Sequence, residues 1–378
     1  MKVEIHKLFE YLLETTEAKP EAVLGFSLST PPTLGDFIAD LDPTVPLDWN
    51  NQSFQGLPAL RQHIIDRCHL AQICTPDDVL ITAGAAEANF LAISQLVQPG
   101  DEIIVDVPGW PQPLVLGKAI GATIKQLTRD EDNDWHFDLA ELESLVTEKT
   151  KLIFICNPNN PTGQVMDETI LKKVVQIADR VGAYLLCDEV YAGLEWVGDR
   201  VPSVAGLYER GISTGSVSKA LGLQGLRTGW LISPDKNVVF DAVILRENSS
   251  EIMNIMGELI AEIALRESRY TTALAQARSE GQQNLAVLDQ FINSRPDLSW
   301  VRPPAGLIGL CRLDHDLDSE TLARKLLEPP YRTFLMPGSA YDYPRHIRLG
   351  VGGGQAVQLE MGLARLAQLL DDYGSKNK

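Results

Sequence analysis

From about residue 79 to residue 234 the chain repeats one pattern: a short run apolar on both faces, then a stretch whose apolar residues return every three or four positions. The short runs are DVLITA (78–83), EIIVDV (102–107), KLIFIC (151–156), AYLLCDE (183–189), ISTGSV (212–217) and GWLISP (229–234). A strand sends alternate side chains to opposite faces, so a run apolar throughout is a strand covered on both sides. ETILKKVVQIADRVG (168–182), closing on Gly182, has helical spacing. Strands alternating with helices predict an α/β domain, a mostly parallel sheet with helices on each face, three layers in all.

Past residue 250 the pattern becomes wholly helical to about 295 and then changes again. WVRPPAGLIGLCRLD (300–314) and HIRLGVG (346–352) read as strands, separated by the helical SETLARKLLEP and the turn-rich MPGSAYDYPR. An amphipathic helix, AVQLEMGLARLAQLLDDYG, follows, which makes this a smaller α+β unit. The first stretch, MKVEIHKLFEYLLETTEAKPE, reads as an amphipathic helix with no evident partner except that unit. At 378 residues the chain exceeds one compact core and fits two domains. The expected division is a large α/β domain at 41–275 and a small α+β domain built from 1–40 and 276–378.

Charge and composition narrow the partners. A net charge of −18 without a basic stripe argues against a nucleic-acid partner. No apolar run approaches the roughly 18 residues that cross a bilayer, and the first stretch lacks the apolar core of a signal peptide. A cytoplasmic protein is expected. The cysteines, Cys68, Cys74, Cys156, Cys187 and Cys311, are scattered with no CxxC pair, so neither a disulfide framework nor a metal site is expected. Cys156 and Cys187 end apolar runs and read as buried small hydrophobes.

Six features carry chemistry, and each has a plainer reading when taken alone. In SVSKALGLQGLRTGW (216–230), Lys219 follows a strand; a lysine held away from water forms imines, while an exposed one is merely solvated. In CDEVYAGLEW (187–196), Asp188 ends an apolar strand; it either pairs with a cation such as a pyridinium nitrogen or caps local amides. NPNNPTG (157–163) offers asparagine donors at a strand's carboxyl end, or simply makes a turn. In TAGAAEANFLAI (82–93), Gly84 lies between strand and helix, where small residues let backbone N–H groups approach a phosphate, as in many tight turns. Trp110 in DVPGWPQP either stacks on a planar ligand or sits in the core. Arg348 in HIRLGVG either pairs with an internal acid or awaits a carboxylate, which it grips with two N–H groups. Five of the six sit at the carboxyl ends of predicted sheet strands, the ligand edge of an open α/β sheet.

In this order the motifs resemble those of the class I/II aminotransferases of pyridoxal-phosphate (PLP) fold type I, and the resemblance covers essentially the whole chain. The family pattern N-P-T-G, D-x-x-Y and S-x-S-K with an arginine eight residues on stands here as Asn160 to Gly163, Asp188 to Tyr191, Ser216 to Lys219, and Arg227. The resemblance implies that Lys219 holds PLP as an imine and moves the proton between substrate Cα and cofactor C4′. It implies that Asp188 pairs with the ring nitrogen and that Tyr191 and Asn160 bond the phenolic oxygen. Trp110 would cover a ring face. Ser216, Ser218, Arg227 and the backbone of Gly84, Ala85 and Ala86 would hold the phosphate, and Arg348 the substrate carboxylate. An amino acid and a 2-oxo acid are the implied substrates, and a homodimer the implied assembly.

Two departures bear on substrate choice. The family carries a tyrosine five residues before the glycine of G-x-x-x-L-R; here GLPALR begins at Gly56, the position is Asn51, and Trp49 is the nearest aromatic. The segment that closes over substrate reads SLSTPPTLGD, with Thr30 where a small residue is usual. Both features resemble capreomycidine synthases, which cyclise at Cβ through the same cofactor. Transamination is the leading expectation, elimination or cyclisation at Cβ the alternative. A PLP-fold sensor without turnover is set aside, since such regulators carry an added DNA-binding domain.

Overall fold

A computed structural model describes residues 2–48, 53–314, 317–353 and 356–376. Its main sheet has eight strands: β1 (Val79–Thr82), β2 (Glu102–Val107), β3 (Thr123–Asp130), β4 (His136–Phe137), β5 (Thr150–Cys156), β6 (Tyr184–Asp188), β7 (Gly211–Ser216) and β8 (Gly229–Ile232). They lie in the order β1-β8-β7-β6-β5-β2-β3-β4. The central run from β7 to β3 is parallel, whereas β8 is antiparallel to both of its neighbours and β4 to β3. All six expected strands form. Strand β3 escaped notice because TIKQLTRD alternates, with only Leu127 and Arg129 buried. It lies near the sheet edge and shows one face to water.

Alternation within the central strands builds the three layers. On β5, Leu152 and Phe154 join a core with the helices Ala85–Leu96, Gln112–Ile120 and Lys236–Glu247. Ile153 and Ile155 point the other way, into a core with the helices Leu139–Leu145 and Glu168–Asp179. These residues are wholly buried, at about 1.5–3 kcal/mol for each large apolar side chain removed from water. The helix expected at 168–182 ends near Asp179, and Gly182 takes the left-handed conformation that turns the chain into β6.

A four-stranded antiparallel sheet joins Leu298–Trp300, Ile308–Leu313, His346–Gly350 and Met336–Pro337. The sequence suggested one strand across 300–314; Pro303 and Pro304, which lack the N–H that a ladder needs, divide it in two. A core at this sheet gathers Leu8, Tyr11 and Leu24, residues of the helix Glu267–Asn293, and leucines of the last helix, Ala356–Lys376. Of the long helix expected at the start, Lys7–Glu14 forms. Tyr11 donates from its hydroxyl to the Leu335 carbonyl at 3.0 Å, while Phe9 sets its ring edge-on to Trp110 at 5.6 Å. This short helix therefore touches both sheets' surroundings, and a cavity lies beneath it.

Candidate active site

The cavity, about 440 Å³, opens at the carboxyl ends of β5, β6 and β7, where the backbone of a parallel sheet splays apart. Lys219, Asp188, Tyr191, Asn160, Trp110, Ser216, Ser218, Arg227, Arg348, Ala85 and Ala86 all line it. Gly84 stands just behind Arg227.

Burial makes Lys219 unusual. Its Nζ donates to the Ser27 hydroxyl at 2.9 Å and the Ser27 carbonyl at 3.3 Å, and lies 5.9 Å over the Tyr191 ring. Loss of water lowers the amine to about 8, with the Arg348 and Arg227 charges adding to the effect and Asp188 opposing it. An amine titrating there is neutral, and so nucleophilic, in roughly a tenth of molecules at pH 7, far more than an ordinary lysine. Since the neutral form gains as pH rises, capture of PLP by cofactor-free protein should accelerate about tenfold per pH unit well below 8 and level off above it. Absorbance after rapid mixing reads this; a rate still climbing steeply at pH 10 would show an ordinary solvated lysine.

Asp188 ends β6 as its last residue and is 5% exposed. Its Oδ2 accepts from the Asn89 amide at 2.8 Å, and Asn89 Oδ1 in turn accepts from the Thr214 hydroxyl at 2.7 Å. Burial pushes the Asp188 carboxyl up, against the Asn89 and Val190 hydrogen bonds and the Lys219 charge. A carboxylate so placed calls for a cation in the cavity. Glu189, next along the chain, faces elsewhere and is held by Ser203, Ser213 and the Val204 N–H at 2.6 to 3.0 Å. Strand alternation thus spends one acid on structure and leaves the other to the cavity.

The turn after β5 makes a similar division among its three asparagines. Asn157 bonds both backbone groups of Met166, and Asn159 ties Thr162 to the buried Asp106–Arg129 pair. Asn160 faces the cavity. Its Oδ1 accepts from Tyr341 at 3.2 Å and Arg348 at 3.3 Å, which leaves its amide hydrogens to donate elsewhere. Tyr191 is buried, which pushes its phenol above the ordinary range and keeps it a neutral donor.

Arg348 answers the choice posed by its sequence context. It is 6% exposed, and its described partners are neutral: the Tyr341 hydroxyl at 2.6 Å, the Gly25 carbonyl at 2.7 Å and Asn160. Among the described residues its Nε has no hydrogen-bond partner. A buried guanidinium that lines the cavity, with no acid among its described partners, can take an incoming carboxylate.

At the opposite side, Gly84 has φ +80° and precedes the helix Ala85–Leu96, whose first N–H groups have no carbonyl of their own helix to bond. A Cβ on Gly84 would stand 2.5 Å from Arg227 Nη2. Arg227, itself in the left-handed region at φ +53°, donates to the Ala83 carbonyl at 3.1 Å. Guanidinium, two serine hydroxyls and a helix N-terminus surround one small space, the donor set that a phosphate needs. The residues therefore fit PLP: a cradle for phosphate, an acid for the ring nitrogen, neutral donors for the ring oxygen, and an amine.

One expected residue does not arrive. Thr30 lies outside the cavity, in an adjoining groove, where its hydroxyl donates to Glu280 at 2.8 Å. Pro31 and Pro32 after it hold the segment extended, and Ser27 reaches Lys219 instead. Asn51 and Trp49 lie outside the described residues. Ser27 and Asn89 lie inside SLSTPPTLGD (27–36) and TAGAAEANFLAI (82–93) and Tyr341 in a turn-rich stretch, but nothing local tells that they meet Lys219, Asp188 and Arg348.

Fold and cavity together define a PLP-dependent enzyme of fold type I. The chain belongs to the class I and II aminotransferase family, whose model matches residues 50–366. It is 27% identical to the alanine aminotransferase of Mycobacterium tuberculosis, across 94% of this chain and 87% of the relative. It is similar to the structure of a PLP-dependent aminotransferase from Streptococcus suis, with 30% identity, a TM-score of 0.89 and 98% and 99% of the two chains covered. It is also similar to the PLP-dependent cyclase OrfR, at 25% identity, TM-score 0.88, and 99% and 98% coverage.

Proposed function

We propose that this chain moves an amino group between an L-amino acid and a 2-oxo acid, with Lys219 as cofactor anchor and proton carrier. The observation that carries the proposal is the sharing of one cavity by the depressed amine of Lys219, the buried acid Asp188 and the half-satisfied Arg348. Bound there, PLP supplies an electron-withdrawing ring that stabilises negative charge at the substrate Cα. Arg348 grips the substrate carboxylate and so orients the Cα–H bond toward Lys219. Lys219 Nζ takes that proton and returns it on the cofactor side, and Ser27 holds the amine in place between transfers. Asp188, braced by Asn89, keeps a proton on the ring nitrogen; Tyr191 and Asn160 donate to the ring oxygen. Trp110 limits ring movement, while Ser216, Ser218, Arg227 and the Gly84–Ala86 amides anchor the phosphate. The Lys7–Glu14 helix keeps water from the reacting carbon.

Spectra test the reaction type. Mixing holoenzyme with pooled L-amino acids should convert the cofactor to its amino form, and a 2-oxo acid should restore the original spectrum. Ammonia or a cyclised product released without that form would place the chemistry at Cβ instead, as the similarity to a cyclase would then explain.

The same reading takes 41–275 as the cofactor unit and 1–40 with 276–378 as the smaller unit. Largely separate apolar cores support it, although Phe37 joins a core of the larger unit, Tyr191, Leu194, Trp196 and Ala220 join that of the smaller one, and the helix Glu267–Asn293 runs through the boundary. Among the described residues no helix is long and apolar enough to cross a membrane. A cytoplasmic homodimer is part of the proposal. Phe54 and Phe240, 52% and 64% exposed on one patch, are surface that a second copy would cover. Sedimentation at the mass of a single chain would refute the dimer.

A further inference from the structure

We infer that the substrate side chain is large and apolar, aliphatic or aromatic, and that the Lys7–Glu14 helix is the element that selects it. The inference rests on the transaminase reading above and deepens it.

Charge decides first. Among the described residues lining the cavity the cations are Lys219, Arg227 and Arg348, and the carboxylate is Asp188. Under the assignments above, Lys219 carries the cofactor, Arg227 the phosphate, Arg348 the α-carboxylate, and Asp188 the ring nitrogen. No described charge is left over. A second carboxylate, as in aspartate or glutamate, would find no further cation among this chain's described lining residues, and a lysine or arginine side chain no further acid. Burying an unpaired charge costs far more than the cavity's apolar contacts return.

Shape decides next. The wall over the cavity is built by Leu8, Phe9, Leu12, Phe26, Leu28 and Met336. Three of these come from one eight-residue helix, where Leu12 stands three and four residues after Phe9 and Leu8, spacings that set them along a single face. That helix is pinned at both ends of its reach. Tyr11 bonds the Leu335 carbonyl on one side, while Phe9 packs edge-on to Trp110 on the other. Phe26 is fixed in turn by Phe334, with ring centroids 4.7 Å apart. Gly25, whose carbonyl holds Arg348 at 2.7 Å, is the residue before Phe26. The apolar wall is therefore tied by one peptide to the group that grips the α-carboxylate. A bound amino acid presents its side chain to that wall. Leucine, methionine and phenylalanine match it in chemistry.

The test combines turnover with binding. With holoenzyme and a saturating 2-oxo acid, kcat/KM for L-leucine, L-methionine and L-phenylalanine should exceed that for L-aspartate, L-glutamate, L-lysine and L-arginine by about 100-fold or more. Phe9→Ala and Leu12→Ala should lower the ratio of the leucine and phenylalanine values to that for L-alanine by about 10-fold, since alanine does not reach the wall, and an unchanged ratio overturns the inference. Calorimetry supplies a readout free of turnover: 4-methylpentanoate should bind the holoenzyme at least about 10-fold more tightly than glutarate. A charged amino acid with the highest kcat/KM, or glutarate as the tighter ligand, overturns the inference while leaving transamination standing. If no amino acid reacts, the transaminase reading has failed, and the two carboxylates still decide what the cavity prefers.

Discussion

Lys219→Ala protein should lose turnover by about four orders of magnitude or more, the upper range for a positioned acid–base group. On the proposed reading the variant removes two functions together, the covalent hold on the cofactor and the proton carrier at Cα, so one compensating group will not restore it. Its fold should persist. The Lys219 stem contributes little to the apolar cores, and a neutral side chain relieves the repulsion from Arg348 and Arg227 that depresses the amine. Borohydride treatment of the wild type, followed by mass measurement, should place the cofactor on the peptide containing Lys219, and the variant should take up no such mass. Wild-type turnover in Lys219→Ala would sink the assignment.

Asp188→Ala should cost about two to three and a half orders of magnitude in kcat, from roughly 3–5 kcal/mol for breaking a buried charge pair at about 1.4 kcal/mol per decade. The loss belongs to kcat rather than KM, because the carboxylate faces the ring rather than the substrate. Conversion to asparagine, which keeps shape and removes charge, should be almost as damaging. Asn89→Ala makes the complementary point: the carboxylate remains but loses its 2.8 Å donor, so a smaller fall of about 10-fold is expected. If Asp188→Asn turned over as fast as the wild type, the ring-nitrogen assignment would be wrong even with Lys219 confirmed.

Much of this was legible because the site grows from strand ends. An apolar run announces a buried strand, and a lysine, an acid or an asparagine just past its end must lie at the sheet's ligand edge. Lys219, Asp188 and Asn160 could be found in that way. The orientation among near neighbours could not. NPNNPTG offers three asparagines, and only packing against Met166, Asp106 and Tyr341 determines which of them faces the cavity. Thr30 failed for a related reason: proximity in sequence to Ser27 did not reveal that the chain turns its side chain toward Glu280.

By itself, then, the sequence determined the layered α/β architecture, the strand ends where the cavity opens, and the residues proposed to hold cofactor and α-carboxylate. Periodicity and strand-end placement are local properties, written within a dozen residues. Tertiary structure alone decided what surrounds those groups: Ser27 against Lys219 across 192 positions, Asn89 against Asp188 across 99, and Phe9 against Trp110. The depressed amine and the apolar wall are both products of such distant contacts. Burial and selectivity arise where separate segments meet, and no local stretch of sequence encodes that meeting.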